Sequence, residues 1–203
     1  MALPAPIKRY TPQEYLRLEE TALDKHEYHA GEILAMSGGT YRQSRAAANV
    51  TGELYARLKG SPCYVLESNM RVRIAREDRY VYPDAMIVCG EAQFDPLDEQ
   101  QTTILNPQVV IEVLSASTEA YDRGAKFTAY RTLHSMQEYV LVSQHRALVE
   151  TFFRQGDGNW LFSAWQGRDA TAALRSVRID LPLSDIYTGV SFPAEVKLET
   201  PAD

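Results

Sequence analysis

Cysteine is almost missing from this 203-residue chain, with Cys63 and Cys89 the only two. Two cysteines cannot build a disulfide framework or an all-cysteine zinc site. One bridge stays arithmetically open, but a pair of partly buried thiols is the expectation. No apolar run reaches the roughly 18 residues a membrane helix requires, and the opening MALPAPIKRY has no signal-peptide core, so a cytoplasmic protein without a membrane partner is expected. GxxxxGK[ST], GxGxxG, GxSxG and HExxH are all absent, which removes the usual signals of NTPases, dinucleotide enzymes, serine hydrolases and zincins. Basic charge is short as well. With 21 Lys and Arg against 27 Asp and Glu, the net charge of −6 argues against a protein that coats DNA by neutralising phosphates.

What is present suits a folded domain, since 45% apolar and 24% charged residues lie far from the composition of disordered chains. The length fits one domain, read here as residues 10–190, with flexible tails at 1–9 and 194–203. Thr11, Pro12 and Glu14 form a capping-box start for a short helix over 11–20. A hairpin turning at Ala30-Gly31 follows, and Ala46, Val50, Leu54 and Leu58 place one apolar stripe on a helix over 41–59. Extended segments are read at CYVLE, MRVRIA and YVYPDAMIV, then at QVVIEVLS, EYVLVSQ, ALVETFF and NWLFSAW. A helix from Ser117 or Thr118 to about Leu133 makes 108–144 long enough for a parallel strand–helix–strand crossover, whereas its neighbours favour antiparallel pairing. The α/β (α+β) order predicts a mixed sheet flanked by helices, with an added antiparallel meander and a last helical turn at LPLSDIY. The acidic stretch 90–106 reads as a long surface loop, either mobile or functional.

Acid stands where strands should be buried. Glu112 lies within Val109-Val110-Ile111-Glu112-Val113-Leu114, where a lone carboxylate would cost several kcal/mol or take up a proton. Asp84 precedes another apolar run, Ala85 to Val88. Two carboxylates on neighbouring strands make an oxygen cage of the kind Mg²⁺ accepts. Climbing about 10 Å from Glu112 to Ser115 along a strand, then descending about 12 Å along a helix from Thr118, returns the chain at Lys126 to the level of Glu112. Asp122, Lys126 and Tyr130 share one helical stripe. Equally, Asp122 and Lys126 could form a surface pair while Glu112 bonds to an Arg or a backbone group. The residues alone leave both readings open. Arg71 and Arg73 alternate with Met70, Val72 and Ile74 and are read as a solvated strand face or as contacts to a nucleic-acid backbone. His26 and His29, three apart on a strand, point to opposite faces and are read as exposed hairpin histidines rather than as a metal pair.

The strings Tyr28-His29-Ala30-Gly31-Glu32, Tyr82-Pro83-Asp84, Ile111-Glu112-Val113-Leu114-Ser115-Ala116-Ser117-Thr118, Tyr121-Asp122-Arg123-Gly124-Ala125-Lys126-Phe127 and Gln137-Glu138-Tyr139-Val140-Leu141-Val142 resemble the Uma-two family of restriction-endonuclease-like proteins in the PD-(D/E)xK superfamily. The likeness runs in order over roughly residues 10–190. It implies a mixed-sheet nuclease core in which Asp84 and Glu112 hold Mg²⁺ or Mn²⁺, Glu27 adds a metal or water contact, and a lysine faces the scissile phosphate. Leu114 occupies the place, two residues after the acid, where the superfamily pattern has lysine, and Lys126 resembles a migrated replacement. Gln43 stands where relatives commonly carry a histidine.

The resemblance implies a metal-dependent endonuclease with Asp84, Glu112 and Lys126 as catalytic residues, and with Arg71, Arg73, Asp122 and Tyr130 as weaker substrate-binding candidates. Nucleic acid, DNA ahead of RNA, is the partner, and a homodimer would supply one site per strand. Net acidity and the displaced lysine motivate an alternative, an inactive nuclease fold serving as a nucleic-acid-binding or regulatory module. A phosphoesterase of small nucleotides is a third reading.

Overall fold

Thr11 opens the first helix: its hydroxyl accepts the Glu14 amide at 3.2 Å, and the Glu14 carboxylate accepts the Thr11 amide at 2.7 Å. This reciprocal cap satisfies donors that the first turn would otherwise leave unpaired. The computed structural model describes residues 8–36 and 38–192. The tails expected at 1–9 and 194–203 therefore lie outside the described residues, apart from Lys8 and Arg9.

After α1 (Pro12–Glu19), strands β1 (His26–His29) and β2 (Glu32–Ala35) form the expected hairpin. Ala30 and Gly31 both take positive φ, 46° and 97°, which matches the twist of the strands they join. Helix α2 (Tyr41–Leu58) buries Ala46, Val50, Leu54 and Leu58. Strands β3 (Cys63–Glu67), β4 (Arg71–Ile74), β5 (Arg79–Val81) and β6 (Ala85–Cys89) follow. The segment read as one extended run, YVYPDAMIV, is thus two strands. Tyr82-Pro83-Asp84 separates β5 from β6, and each enters a different sheet.

A short β7 (Thr103–Ile104) precedes β8 (Val109–Leu114), and the crossover then runs through α3 (Glu119–Tyr121), a π-helical turn (Asp122–Lys126) and α4 (Phe127–Tyr130). It returns to β9 (Glu138–Ser143), which pairs parallel with β8 as expected. Strands β10 (Leu148–Arg154) and β11 (Trp160–Gln166) form the antiparallel meander. Beyond the expected strands, β12 (Thr171–Leu174) and β13 (Ile179–Pro182) pair with each other ahead of α5 (Leu183–Ile186).

Beside the two-stranded β12–β13 sheet, the described residues form a five-stranded sheet, ordered β2-β1-β5-β4-β7, and a six-stranded one, ordered β11-β10-β9-β8-β6-β3. Strand β8 is covered on both faces. Val109, Ile111 and Val113 meet the core under α2, whereas Val110 and Leu114 meet the aromatic core of Phe127, Tyr130 and Tyr139. Alternation therefore aims Glu112 at the second face, toward the crossover.

Two expectations are corrected. Cys63 and Cys89 face each other across the β3–β6 ladder and are joined as a disulfide, not left as two thiols. A separation of 26 residues hides that pairing until strand register is known. The acidic stretch 90–106 is no open surface loop. It returns to the sheet through β7, parallel to β4, and buries Asp95 and Asp98.

Candidate active site

Ala85 on β6 lies opposite Ile111 on β8 in an antiparallel ladder, so one further step of that register aligns Asp84 with Glu112. The Asp84 carboxylate continues the ladder by accepting the Val113 amide at 2.6 Å. Glu112, Asp84 and Lys126 line one cavity of about 350 Å³ together with Glu27, His29, Tyr121 and Asp122. The Lys126 ammonium lies 2.8 Å from Glu112 Oε1, 3.4 Å from Glu27 Oε1 and 3.7 Å from Asp122 Oδ1. It also donates to the Tyr82 carbonyl at 3.3 Å. The π-helical turn inserts its extra residue between Asp122 and Lys126, both buried, a local irregularity often found at functional sites.

Glu27 has both oxygens engaged. Oε1 accepts the Tyr82 amide at 3.2 Å and faces Lys126, while Oε2 meets His29 Nε2 at 3.1 Å and the Tyr121 hydroxyl at 3.4 Å. Tyr130 is fully buried outside the cavity and donates to Glu112 Oε1 at 3.3 Å, so it holds the carboxylate from behind.

Arg71 and Arg73 are not brought to this site. Arg71, 4% exposed, pairs with Asp98 at 3.1 Å, and Arg73 pairs with Asp95 at 2.8 Å. The solvated strand face expected for them is occupied by the returning acidic segment. His26 and His29 are likewise not exposed: His26 sits 3.1 Å from Glu19, and His29 lines the cavity. His29 is a site residue that the sequence reading missed. The available signal was the two-residue spacing of Glu27 and His29, which puts both on one strand face. Gln43, noted where relatives commonly carry a histidine, also lines the cavity. From the first turn of α2 its amide donates to the Val113 carbonyl at 3.0 Å.

The charges do not balance. Burial pushes the carboxyls of Glu112, Asp84 and Asp122 above their ordinary values; Lys126 opposes this at all three, and the Val113 amide opposes it at Asp84. Asp122 and Asp84 add to the upward push on Glu112. Burial would also raise Glu27, but Lys126, His29 and the Tyr82 amide outweigh it and hold this carboxyl low. At Lys126 burial is outweighed by Glu112, Glu27 and Asp122, so it stays an ammonium far above its usual range.

Residues 12–184 match the family described as "Putative restriction endonuclease", Uma2. The chain belongs to the Uma2 family. Two uncharacterized proteins of Synechocystis sp. are similar to this Uma2 protein along almost their whole length. One, slr1290, is 35% identical over 93% of this chain and 96% of its own, and the other, sll1609, is 34% identical over 88% and 100%. The fold is shared with a crystal structure of a putative nuclease from Anabaena variabilis, at a TM-score of 0.71 and 16% identity over 90% of this chain and 99% of that one. Uma2 membership supports a nuclease, and with it nucleic acid as the substrate class. No helix among the described residues is long and apolar enough to cross a membrane.

Among the described residues no three His, Cys, Asp or Glu side chains are gathered tightly enough to hold a divalent cation as they stand. The donor chemistry nevertheless fits. Asp84 and Glu112 offer hard carboxylate oxygens, and the three carboxyls pushed upward in a cavity holding one ammonium form an acidic excess that a dication would relieve.

Proposed function

We propose that this protein is a divalent-metal-dependent endonuclease hydrolysing phosphodiester bonds, of DNA ahead of RNA. The observation that carries the reading is the convergence of Asp84, Glu112 and the buried Lys126 ammonium in one cavity. Asp84 and Glu112 would hold Mg²⁺ or Mn²⁺, which supplies Lewis acidity at the phosphate. Lys126 keeps its proton and stabilises the negative charge that builds on the phosphate oxygens. Glu27 anchors Lys126, Tyr130 orients Glu112, and Asp122 flanks the ammonium within the cavity.

Substituting Asp84→Ala or Glu112→Ala should lower Mn²⁺-stimulated cleavage by about a hundredfold or more, with the far-ultraviolet circular dichroism spectrum unchanged. Full activity in both variants would overturn the assignment. A second reading, the inactive binding module, draws on Leu114 at the superfamily's lysine position and on a Lys126 already committed to carboxylates. Calorimetric titration with Mn²⁺ separates the two. Binding that disappears in Asp84→Asn, together with cleavage, supports the enzyme, whereas no binding supports the module.

A further inference from the structure

The groups assigned to catalysis lie at the bottom of a recess. The side chains of Glu112, Asp122 and Lys126 are only 4%, 5% and 6% exposed, so a phosphodiester reaches them only by entering the cavity. A duplex carries its phosphates on a stiff convex surface, and enzymes with enclosed sites take a single strand or extrude a nucleotide from the stack.

Charge points the same way. The cavity adjoins a second one of about 760 Å³ and shares Met36, Gln43, Tyr82 and Asp84 with it. Among the described residues six carboxylates line the two, and Lys126 and Lys25 are the only Lys or Arg that do so. Lys126 is already tied to carboxylates, while Lys25 donates to the Ser68 carbonyl at 2.8 Å and lies over the Tyr82 ring. Arg71 and Arg73 are paired elsewhere. Duplex affinity comes largely from cations that neutralise phosphates, and this surface has few to offer.

Exposed apolar groups line the cavities as well. Leu34 and Met36, 43% and 39% exposed, line the first cavity, and Leu23, fully exposed, lines the second. Exposed apolar side chains lining these cavities offer a surface that the face of an unpaired base can cover. The α2 wall of the second cavity presents Ser44, Ala47 and Ala48, small side chains that leave room for a chain to pass.

We infer that the substrate enters as a single strand, its bases against Leu23, Leu34 and Met36, and that the strand continues from the Asp84 site through the second cavity along α2. This deepens the proposed function and rests on its premise that nucleic acid occupies the site. One strand needs only one site, so a homodimer is not required.

The test is fluorescence anisotropy of Asp84→Asn protein, which cannot cut under the proposal, with a labelled 20-nucleotide single-stranded DNA and the matched duplex. The single strand should bind at least tenfold tighter, with log Kd changing by no more than about 1.4 units per tenfold change in salt, as expected for one or two phosphate contacts. Ala48→Trp, at an exposed α2 position, should weaken the 20-nucleotide strand at least fivefold and leave thymidine monophosphate binding unchanged. Equal or tighter duplex binding overturns the inference. So does monophosphate binding that matches the strand and ignores Ala48→Trp, which would assign a small-nucleotide phosphoesterase. Cleavage by the wild-type protein, run in parallel, keeps the two readings apart. Preferential cutting of duplex plasmid sinks the single-strand inference and spares the nuclease, while strand preference with no cleavage of any substrate does the reverse.

Discussion

Two groups of buried charge occupy this small molecule, and they are built on opposite principles. In the five-stranded sheet Arg71 meets Asp98 and Arg73 meets Asp95, one cation to one anion. Remaining lone pairs are filled by neighbours. Thr103 and the Thr102 amide donate to Asp98 at 2.5 and 3.1 Å, and the Tyr80 hydroxyl donates to Asp95 at 2.6 Å. At the cavity, Glu27, Glu112 and Asp122 share one ammonium, and Asp84 lines the same space with no cation of its own. A charge-matched cluster whose carboxylates are hydrogen-bonded serves the fold, because much of its desolvation cost is offset inside the cluster. An unmatched cluster stores repulsion that a bound cation or a proton removes, which is how a binding site differs from a staple.

The sharpest way to break this contrast is to unpair the matched group. Arg71→Met leaves Asp98 buried without its cation and should cost about 3–5 kcal/mol, read as a drop in the urea midpoint. A loss below 1 kcal/mol would put the two clusters in the same class. The unmatched group predicts the reverse sign. Asp84→Asn keeps an acceptor for the Val113 amide and removes one repelling charge, so the metal-free protein should gain about 1 kcal/mol while Mn²⁺-stimulated cleavage disappears. Destabilisation would show that the carboxylates are already compensated.

The pH slopes should oppose each other too. Although burial would raise Asp98, bonds from Thr103 and Thr102 and the Arg71 charge hold its folded pKa below the unfolded value. Its stabilisation is therefore present above the unfolded carboxylate range, about pH 4, and lost as pH falls through the folded value. Asp84, Glu112 and Asp122 have raised folded pKa values, so their contribution is complete below that range and is lost as pH rises through the folded values. Urea midpoints from pH 3 to 8 check both limbs. Asp98→Asn should flatten the acid limb and Asp84→Asn the neutral one, and identical profiles for the two variants would contradict the scheme. The smallest effect lies outside both clusters. The Arg123–Glu119 pair at 2.8 Å is half-exposed, and Glu119→Gln should shift stability by less than about 1 kcal/mol.

Local chemistry made much of the fold legible. The capping box at Thr11, the α2 stripe, the Ala30-Gly31 turn and the strand–helix–strand crossover depend on near neighbours and periodicity, and all are found where the residues place them. The aligned acids were legible as an anomaly, since Glu112 sits in an apolar strand with no local partner. Arg71 and Arg73 were misread because strand alternation says which side chains share a face but not what covers it. The covering segment returns from some 25 residues along the chain. The Cys63–Cys89 bridge and the β12–β13 pair were out of reach for a related reason: cross-strand register and weakly patterned short strands are settled by the rest of the sheet.

By itself the chain determined its elements, the helical crossover and the presence of acids in strands meant for the core, because propensity and periodicity act over a few residues. Only the tertiary structure decided which acids received a cation of their own and which were left to share Lys126. That outcome depends on strand register and on where a distant segment comes to rest, and both are fixed by the packing of the whole rather than by any local run of sequence.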